Sequence, residues 1–90
     1  MSELSNHVYH VYVLRNPQKR HYIGLTDNVP RRVEQHNHGV SQWTKSRGPW
    51  QLIWISESCS LSEARILENR LKQQKGGVGF YRLTGLSPGS

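Results

Sequence analysis

Residues 9–24 constrain the fold most, because they have the composition of two strands joined by a turn. Residues 9–14 are rich in β-branched and aromatic side chains, as strands are, and residues 21–24 continue that pattern. Residues 16–20 lie between them and contain Asn and Pro, which are typical of turns. We therefore predict an antiparallel β-hairpin near the start of the chain.

The two faces of this hairpin differ in character. Side chains alternate along a strand, so Val11, Val13 and Ile23 are predicted to face a core. Tyr12 and Tyr22 then share the opposite, more polar face. Two tyrosines on a half-exposed face are ordinary in β-sheets, so the strands alone do not indicate a function.

A short helix is predicted to follow the hairpin and to run to about residue 37. Asp27 or Asn28 is a suitable N-cap, and Pro30 fits the first helical turn. Arg32 and His36 are four residues apart, so they share one flank that can reach back over the hairpin. The alternative is that Arg32 belongs to a solvated basic face and that His36 is stabilised by the helix dipole.

The second half of the chain predicts a third strand and a longer helix. Residues 50–55 are apolar on both faces, so we expect cover on at least part of both sides. Ser60 and Glu63 form a capping box, and the helix that it begins should end near residue 75. The apolar stripe predicted for this helix consists of Leu61, Ala64, Leu67 and Leu71. Residues 80–83 are expected to dock as a short apolar clip after the glycines at 76–79 free the chain.

Two features of the second half leave alternatives open. Glu68 lies at the edge of the apolar stripe, where it is either an ion-pair partner of Lys72 or a metal ligand facing a cleft. Residues 40–49 predict a short helix or a structured loop. There, Lys45 and Arg47 beside Trp43 suggest a surface that contacts phosphates, although Trp43 could equally anchor the loop to the core.

Charge narrows the range of partners. The net charge of +6 and the pI near 10 favour a polyanion, of which nucleic acid is the commonest. The single cysteine, Cys59, excludes an internal disulfide and a multi-cysteine zinc site. We find no membrane-spanning run and no signal peptide, so we expect a cytoplasmic protein with no membrane partner. We expect one domain over residues 8–83, a disordered segment over 1–7 and a flexible tail over 84–90.

An ordered series of short motifs resembles the GIY-YIG endonuclease family, in particular its short stand-alone bacterial branch. The series covers about residues 8–75 and consists of Val11-Tyr12-Val13-Leu14, Tyr22-Ile23-Gly24-Leu25-Thr26, Arg31-Arg32, His36-Asn37, Thr44-Lys45, Pro49-Trp50, Glu63-Ala64, Leu67-Glu68 and Leu71-Lys72. His10 stands where the family name has its first glycine. The resemblance implies an α/β (α+β) fold in which helices flank a three-stranded antiparallel sheet, in the order β-β-α-α-β-α.

The resemblance also implies a reaction, the hydrolysis of DNA phosphodiester bonds with one divalent metal ion. The residues that match the family's catalytic motif are Tyr12, Tyr22, Arg32, His36 and Glu68. Glu68 would hold Mg²⁺ or Mn²⁺, and Arg32 would stabilise charge on the phosphate. Tyr12 would accept a proton from the attacking water while Tyr22 orients the water or the phosphate, although these two roles could be exchanged.

DNA is the partner that we expect, as a single strand or a branched form. No protein partner is predictable from the sequence. The residues expected to contact DNA are Arg31, Trp43, Lys45, Arg47 and Lys72. The main alternative is a DNA-binding module of the same fold with weak catalysis or none. A more remote alternative is a protein-interaction domain that uses the exposed tryptophans and tyrosines.

Overall fold

In the part of the chain that the structure describes, a three-stranded sheet and three helices make up the fold. The computed structural model describes residues 7–39, 47–75 and 77–86. Its elements are β1 (His10–Arg15), β2 (His21–Thr26), α1 (Val29–Asn37), β3 (Gln51–Ile55), α2 (Leu61–Gln73) and α3 (Val78–Thr84). The three strands form one antiparallel sheet, which confirms the predicted α+β class.

The hairpin forms as predicted, and hydrogen bonds to the side chain and backbone of Asn16 close its turn. β1 and β2 pair antiparallel, with Val13 opposite Ile23. In the turn, the Asn16 Oδ1 accepts a hydrogen bond of 2.8 Å from the Arg20 N–H. Lys19 adopts a left-handed conformation (φ 65°), and its N–H donates to the Asn16 carbonyl at 2.9 Å. These contacts set the register that places the two strands' tyrosines near each other.

The third strand lies at an edge of the sheet, whose order is β2-β1-β3. Ile53 and Trp54 pack against the core as expected. Trp50, just before the strand, is buried in the cluster on the other face, so cover on part of both sides is confirmed, while Leu52 and Ile55 are 39% and 44% exposed. The reason is that α2 packs across β2 and β1 rather than over β3.

Each face of the sheet carries its own apolar cluster. The first contains Val11, Val13, Ile23, Ala64, Leu71 and Phe80, and places α2 and α3 on one side. The second contains Tyr12, Leu14, Val29 and Trp50, with Tyr22 and Val33 packed against it. The face predicted to be polar is therefore covered, and Tyr12 is only 1% exposed because α1 and Trp50 lie over it.

Side-chain caps begin the first two helices where the sequence predicts. Asn28 Oδ1 accepts a hydrogen bond from the Arg31 N–H at 3.1 Å and so caps α1. Ser60 and Glu63 form the capping box of α2, through hydrogen bonds of 3.0 and 3.1 Å. Leu61 is exposed, contrary to the prediction, because it is the first residue of the helix and lies beside these exposed capping residues.

The chain folds back after α2 rather than being freed by its glycines. Gly77 is the N-cap of α3, and Phe80 within that helix is fully buried. The sequence predicts only a short apolar clip here, and the clip is a helix that gives the order β-β-α-β-α-α. Thr84 closes this helix and Leu86 packs against the first core cluster, although both lie in the predicted tail.

Three predicted segments fall partly beyond the part of the chain that is described. They are residues 1–6 of the N-terminal segment, residues 40–46 of the predicted helix or loop, and residues 87–90 of the tail.

Cys59 is half-buried and its backbone bridges Tyr9, as expected for a small side chain at a strand end. Within residues 7–39, 47–75 and 77–86, no helix has the length and apolar content needed to cross a bilayer.

Replacement of Phe80 tests whether α3 is part of the cooperative fold. Phe80 is fully buried against the first core cluster, so Phe80→Ala should lower the free energy of unfolding by about 3–5 kcal/mol. The measurement is urea denaturation followed by tryptophan fluorescence. Val78→Ala is the control, because Val78 is in the same helix but 69% exposed. Equal and small changes in both variants would mean that α3 does not stabilise the sheet.

Candidate active site

Tyr12 is the centre of the site, and a glycine on the neighbouring strand determines how its ring lies. Tyr12 is paired with Gly24 across β1 and β2. A Cβ atom at position 24 would lie 2.6 Å from the Tyr12 hydroxyl oxygen and 2.7 Å from Cζ. Only glycine leaves room for the ring, which crosses over β2. Because β2 is an edge strand, the phenol reaches the rim of the sheet.

His36 meets this phenol from α1. The Tyr12 hydroxyl and the His36 Nε2 are 2.8 Å apart, and both side chains are buried. The Tyr22 ring lies 4.6 Å from the His36 ring and 6.3 Å from the Tyr12 ring, between centroids. Three predicted site residues from three elements thus form one aromatic cluster.

Asn37 and Trp50 hold the cluster together, and sequence reasoning missed both as supporting residues. The Trp50 N–H donates to Asn37 Oδ1 at 2.6 Å, and Asn37 Nδ2 donates to the Trp50 carbonyl at 3.0 Å. The Trp50 ring also meets Tyr22 edge-on, with centroids 6.4 Å apart. The motif His36-Asn37 is a signal for Asn37, but the sequence alone does not show its bonds to Trp50.

Arg32 is the positive charge of the cluster. It lies on α1 with His36, and its Nη1 donates to Gln35 Oε1 at 3.0 Å. Arg32 also acts on Tyr12 itself, because a side-chain hydrogen bond between the two residues and the charge of the guanidinium both lower the pKa of Tyr12. Burial, and then the charge of Arg32, lower the pKa of His36 to about 4. His36 is therefore a neutral imidazole at pH 7, as a proton acceptor must be.

At Tyr12, burial raises the pKa by more than the Arg32 guanidinium lowers it. Its pKa is raised to about 12, first by burial and then by the neighbouring Tyr22, and Glu68 also raises it. Tyr12 consequently keeps its proton when no substrate is bound. The charge of Glu68, on α2, is therefore one of the charges that act on Tyr12.

Glu68 makes the ion pair that the sequence allowed and also belongs to the site's electrostatic surroundings. Its side chain is 19% exposed, and its Oε2 lies 3.2 Å from the Lys72 Nζ. Among the described residues, no three His, Cys, Asp or Glu side chains are grouped as a metal-binding set. A lone carboxylate still fits Mg²⁺, which is commonly bound by one or two carboxylates together with waters and substrate phosphates.

Three of the residues predicted to contact DNA are described, and they lie in different segments of the chain. Arg31 is exposed, and its Nη2 lies 3.7 Å from Asp27 Oδ1. Arg47 is exposed, and its carbonyl accepts a hydrogen bond of 3.0 Å from Asn16 Nδ2. Lys72 is beside Glu68. The other two, Trp43 and Lys45, lie outside the described residues.

Comparison with known proteins agrees with this arrangement. Residues 8–80 match the family described as the GIY-YIG catalytic domain. The chain belongs to the GIY-YIG family. His10, which replaces the first glycine of the family name, uses its Nδ1 to bond the Ser56 carbonyl at 2.9 Å.

Relatives come from short proteins and from one larger protein. The UPF0213 protein of Pediococcus pentosaceus is 34% identical over 82 residues, covering 88% of this chain and 86% of that protein. The UPF0213 protein of Oceanobacillus iheyensis is 33% identical over 66 residues, covering 72% and 77%. The structure-specific endonuclease subunit SLX1 homolog of Drosophila mojavensis is 41% identical over 59 residues, covering 54% of this chain and 20% of that protein. No solved structure is significantly similar to the chain.

Gly24→Ala tests the packing of Tyr12. The added methyl would collide with the phenol, so the free energy of unfolding should fall by about 1–3 kcal/mol. The same urea titration measures it. Gly77→Ser is the control, because a Cβ there meets its nearest atom, the Gln74 carbonyl, at an ordinary 3.4 Å and serine is a favoured N-cap. If both glycine variants retained full stability, the close packing over β2 would be contradicted.

His36 should make stability depend on pH. Its pKa falls from 6.5 in the unfolded chain to about 4 in the folded protein, so between these values the unfolded state binds more protons. The free energy of unfolding should therefore be lower at pH 5 than at pH 7.5, with His36 accounting for about 2 kcal/mol of the difference.

His36→Gln removes this contribution and keeps a polar partner for Tyr12. Urea denaturation at both pH values should show a smaller pH effect in the variant than in the wild type. The contribution of His21, whose pKa is also lowered by burial, cancels in this comparison. An unchanged pH effect in the variant would contradict the assignment to His36.

Proposed function

We propose that the protein is a divalent-metal-dependent endonuclease that hydrolyses DNA phosphodiester bonds with a tyrosine-assisted water. The observation that carries the proposal is the Tyr12–His36 contact of 2.8 Å, which lies beside Tyr22 and under the charge of Arg32. Membership of the GIY-YIG family supports a nuclease. The name of the SLX1 homolog, a structure-specific endonuclease subunit, supports branched DNA as a substrate class.

Proton transfer is the task of Tyr12 and His36. The attacking water gives a proton to the Tyr12 oxygen while Tyr12 passes its own proton to the His36 Nε2. The water oxygen bonds to phosphorus, the bond between phosphorus and the leaving strand's oxygen breaks, and the departing oxygen takes a proton from solvent to become a hydroxyl group. This relay avoids a free phenolate, which the Tyr12 pKa of about 12 makes unfavourable at neutral pH.

Arg32 couples phosphate binding to this relay. In the free protein its charge lowers the pKa of His36. When the guanidinium binds a phosphate oxygen through its planar fork, part of that charge is neutralised. His36 then becomes a better proton acceptor once substrate is present. The same guanidinium stabilises the charge that develops on the phosphate oxygens.

Tyr22 and Glu68 complete the proposed machinery. Tyr22 is more exposed than Tyr12, so its hydroxyl is open to the substrate and can orient the phosphate, or the water whose proton Tyr12 accepts. Glu68 would hold Mg²⁺ or Mn²⁺, with waters and a phosphate oxygen as the other ligands. When bound, the ion supplies positive charge against the phosphate oxygens and lowers the pKa of a bound water.

DNA binding in this proposal depends on the basic surface, since the net charge is +6. A single strand or a branched form of DNA would be held by contacts from Arg31, Trp43, Lys45, Arg47 and Lys72. In this proposal the protein acts in the cytoplasm. The second candidate is a DNA-binding module with weak catalysis or none. It is favoured by the Lys72–Glu68 ion pair, because that pair already neutralises the proposed metal ligand.

A nicking assay tests the enzymatic proposal. Supercoiled plasmid, a single strand and a branched junction are incubated with Mg²⁺ or Mn²⁺. Tyr12→Phe should lower the rate about 10²–10⁴-fold, since it removes the proton relay, and Arg32→Ala about 10²–10³-fold, since it removes charge stabilisation. Glu68→Gln should abolish the response to metal. Glu34→Gln, an exposed residue of α1, should cleave as the wild type does.

The same variants separate the two tyrosines and the two candidate functions. If the pH dependence of the cleavage rate disappeared in Tyr22→Phe and persisted in Tyr12→Phe, the roles of the two phenols would be exchanged. If the wild type and every variant left all three DNA forms uncut, the nuclease proposal would fail. Salt-sensitive binding without cleavage would then identify the protein as a DNA-binding module.

A further inference from the structure

A second hollow adjoins the aromatic cluster on the side of α2. It is a cavity of about 330 Å³ lined by Tyr22, Ile23, Lys72 and Lys75. Tyr22 belongs to both places, because its ring also lies 4.6 Å from His36. Whatever fills this cavity is therefore adjacent to a phosphate held at the proposed catalytic residues.

Positive charge is concentrated around the cavity. Burial, and then the charges of Arg20 and Lys72, lower the pKa of Lys75. The charge of Lys75 in turn contributes to the lowered pKa of His21. Like charges at this spacing repel each other, and a bound anion relieves the repulsion.

The walls of the cavity add an apolar requirement. Tyr22 and Ile23 line the cavity together with the two lysines, whose side chains carry aliphatic stems as well as ammonium groups. A small inorganic anion would use only the ammonium groups. A nucleotide would use both parts, since its phosphate can accept hydrogen bonds from lysine and its base or sugar can pack on an aromatic ring.

We infer that this cavity binds the nucleotide next to the cleaved phosphodiester bond, with the flanking phosphate held by Lys75 and Lys72. The inference rests on the proposed nuclease function and specifies how the substrate strand runs from the catalytic cluster along α2. Lys72, which pairs with Glu68 in the free protein at 3.2 Å, would exchange that carboxylate for the phosphate when the strand binds.

Ile23 supplies a direct probe of the cavity. The protein, labelled at its isoleucine methyl groups, is titrated in EDTA with a 5′-phosphorylated thymidine dinucleotide and followed by NMR. The Ile23 methyl signals should shift, whereas those of Ile53 and Ile66 should not, since Ile23 lines the cavity and the other two isoleucines do not. Parallel titrations with unphosphorylated thymidine and with inorganic phosphate should give weaker responses at Ile23.

Lys75→Gln should raise the dissociation constant read from Ile23 roughly tenfold, because losing one charge-assisted hydrogen bond usually weakens binding by about this factor. Lys75→Arg should retain it. Arg70→Gln is the matched control, because it removes the same charge from an exposed position on α2 and should leave the Ile23 titration unchanged. Thermal denaturation of each variant verifies that it is folded.

The outcomes separate this inference from the proposed function. An Ile23 signal that does not respond to the dinucleotide, or a Lys75→Gln variant that binds as the Arg70→Gln variant does, would overturn the nucleotide site even if the nicking assay succeeds. A shifted Ile23 signal in a protein that cuts no DNA would support the nucleotide site and contradict the nuclease. An equal response to inorganic phosphate alone would reduce the cavity to an anion site and overturn its assignment to a nucleotide.

Discussion

The packing of the Tyr12 ring over Gly24 is the constraint on which the site depends. It brings a phenol from the central strand across its neighbour to the rim of the sheet. There the hydroxyl contacts His36 from α1, and the charge of Glu68 on α2, the helix of the opposite face, contributes to its raised pKa.

Much of this arrangement could be predicted from local pattern. The hairpin, the capped starts of α1 and α2, and the shared flank of Arg32 and His36 follow from turn chemistry and helical periodicity, which act over a few residues. The ordered motifs added the family and the expected sheet. These predictions hold because each local preference agrees with the final fold.

The parts that the sequence did not predict depend on contacts between distant residues. Burial of Tyr12 requires Trp50, which is brought close by two hydrogen bonds to Asn37. The sequence predicted that Phe80 docks as part of a short apolar clip, but it did not predict that the clip is a helix whose phenylalanine completes the first core cluster. The exposure of Leu52 and Ile55 reflects which strands α2 covers. Periodicity within one element carries no information on such partners.

The two separate apolar clusters have a consequence for how the molecule can move and change. The cluster under α2 and α3 is built from aliphatic side chains and Phe80, whereas α1 is held largely through His36, Asn37 and two valines. Opening of α1 would separate His36 from Tyr12 while the opposite layer stays packed. Mutations on the α1 side of the sheet can therefore accumulate without eroding the scaffold on the other side.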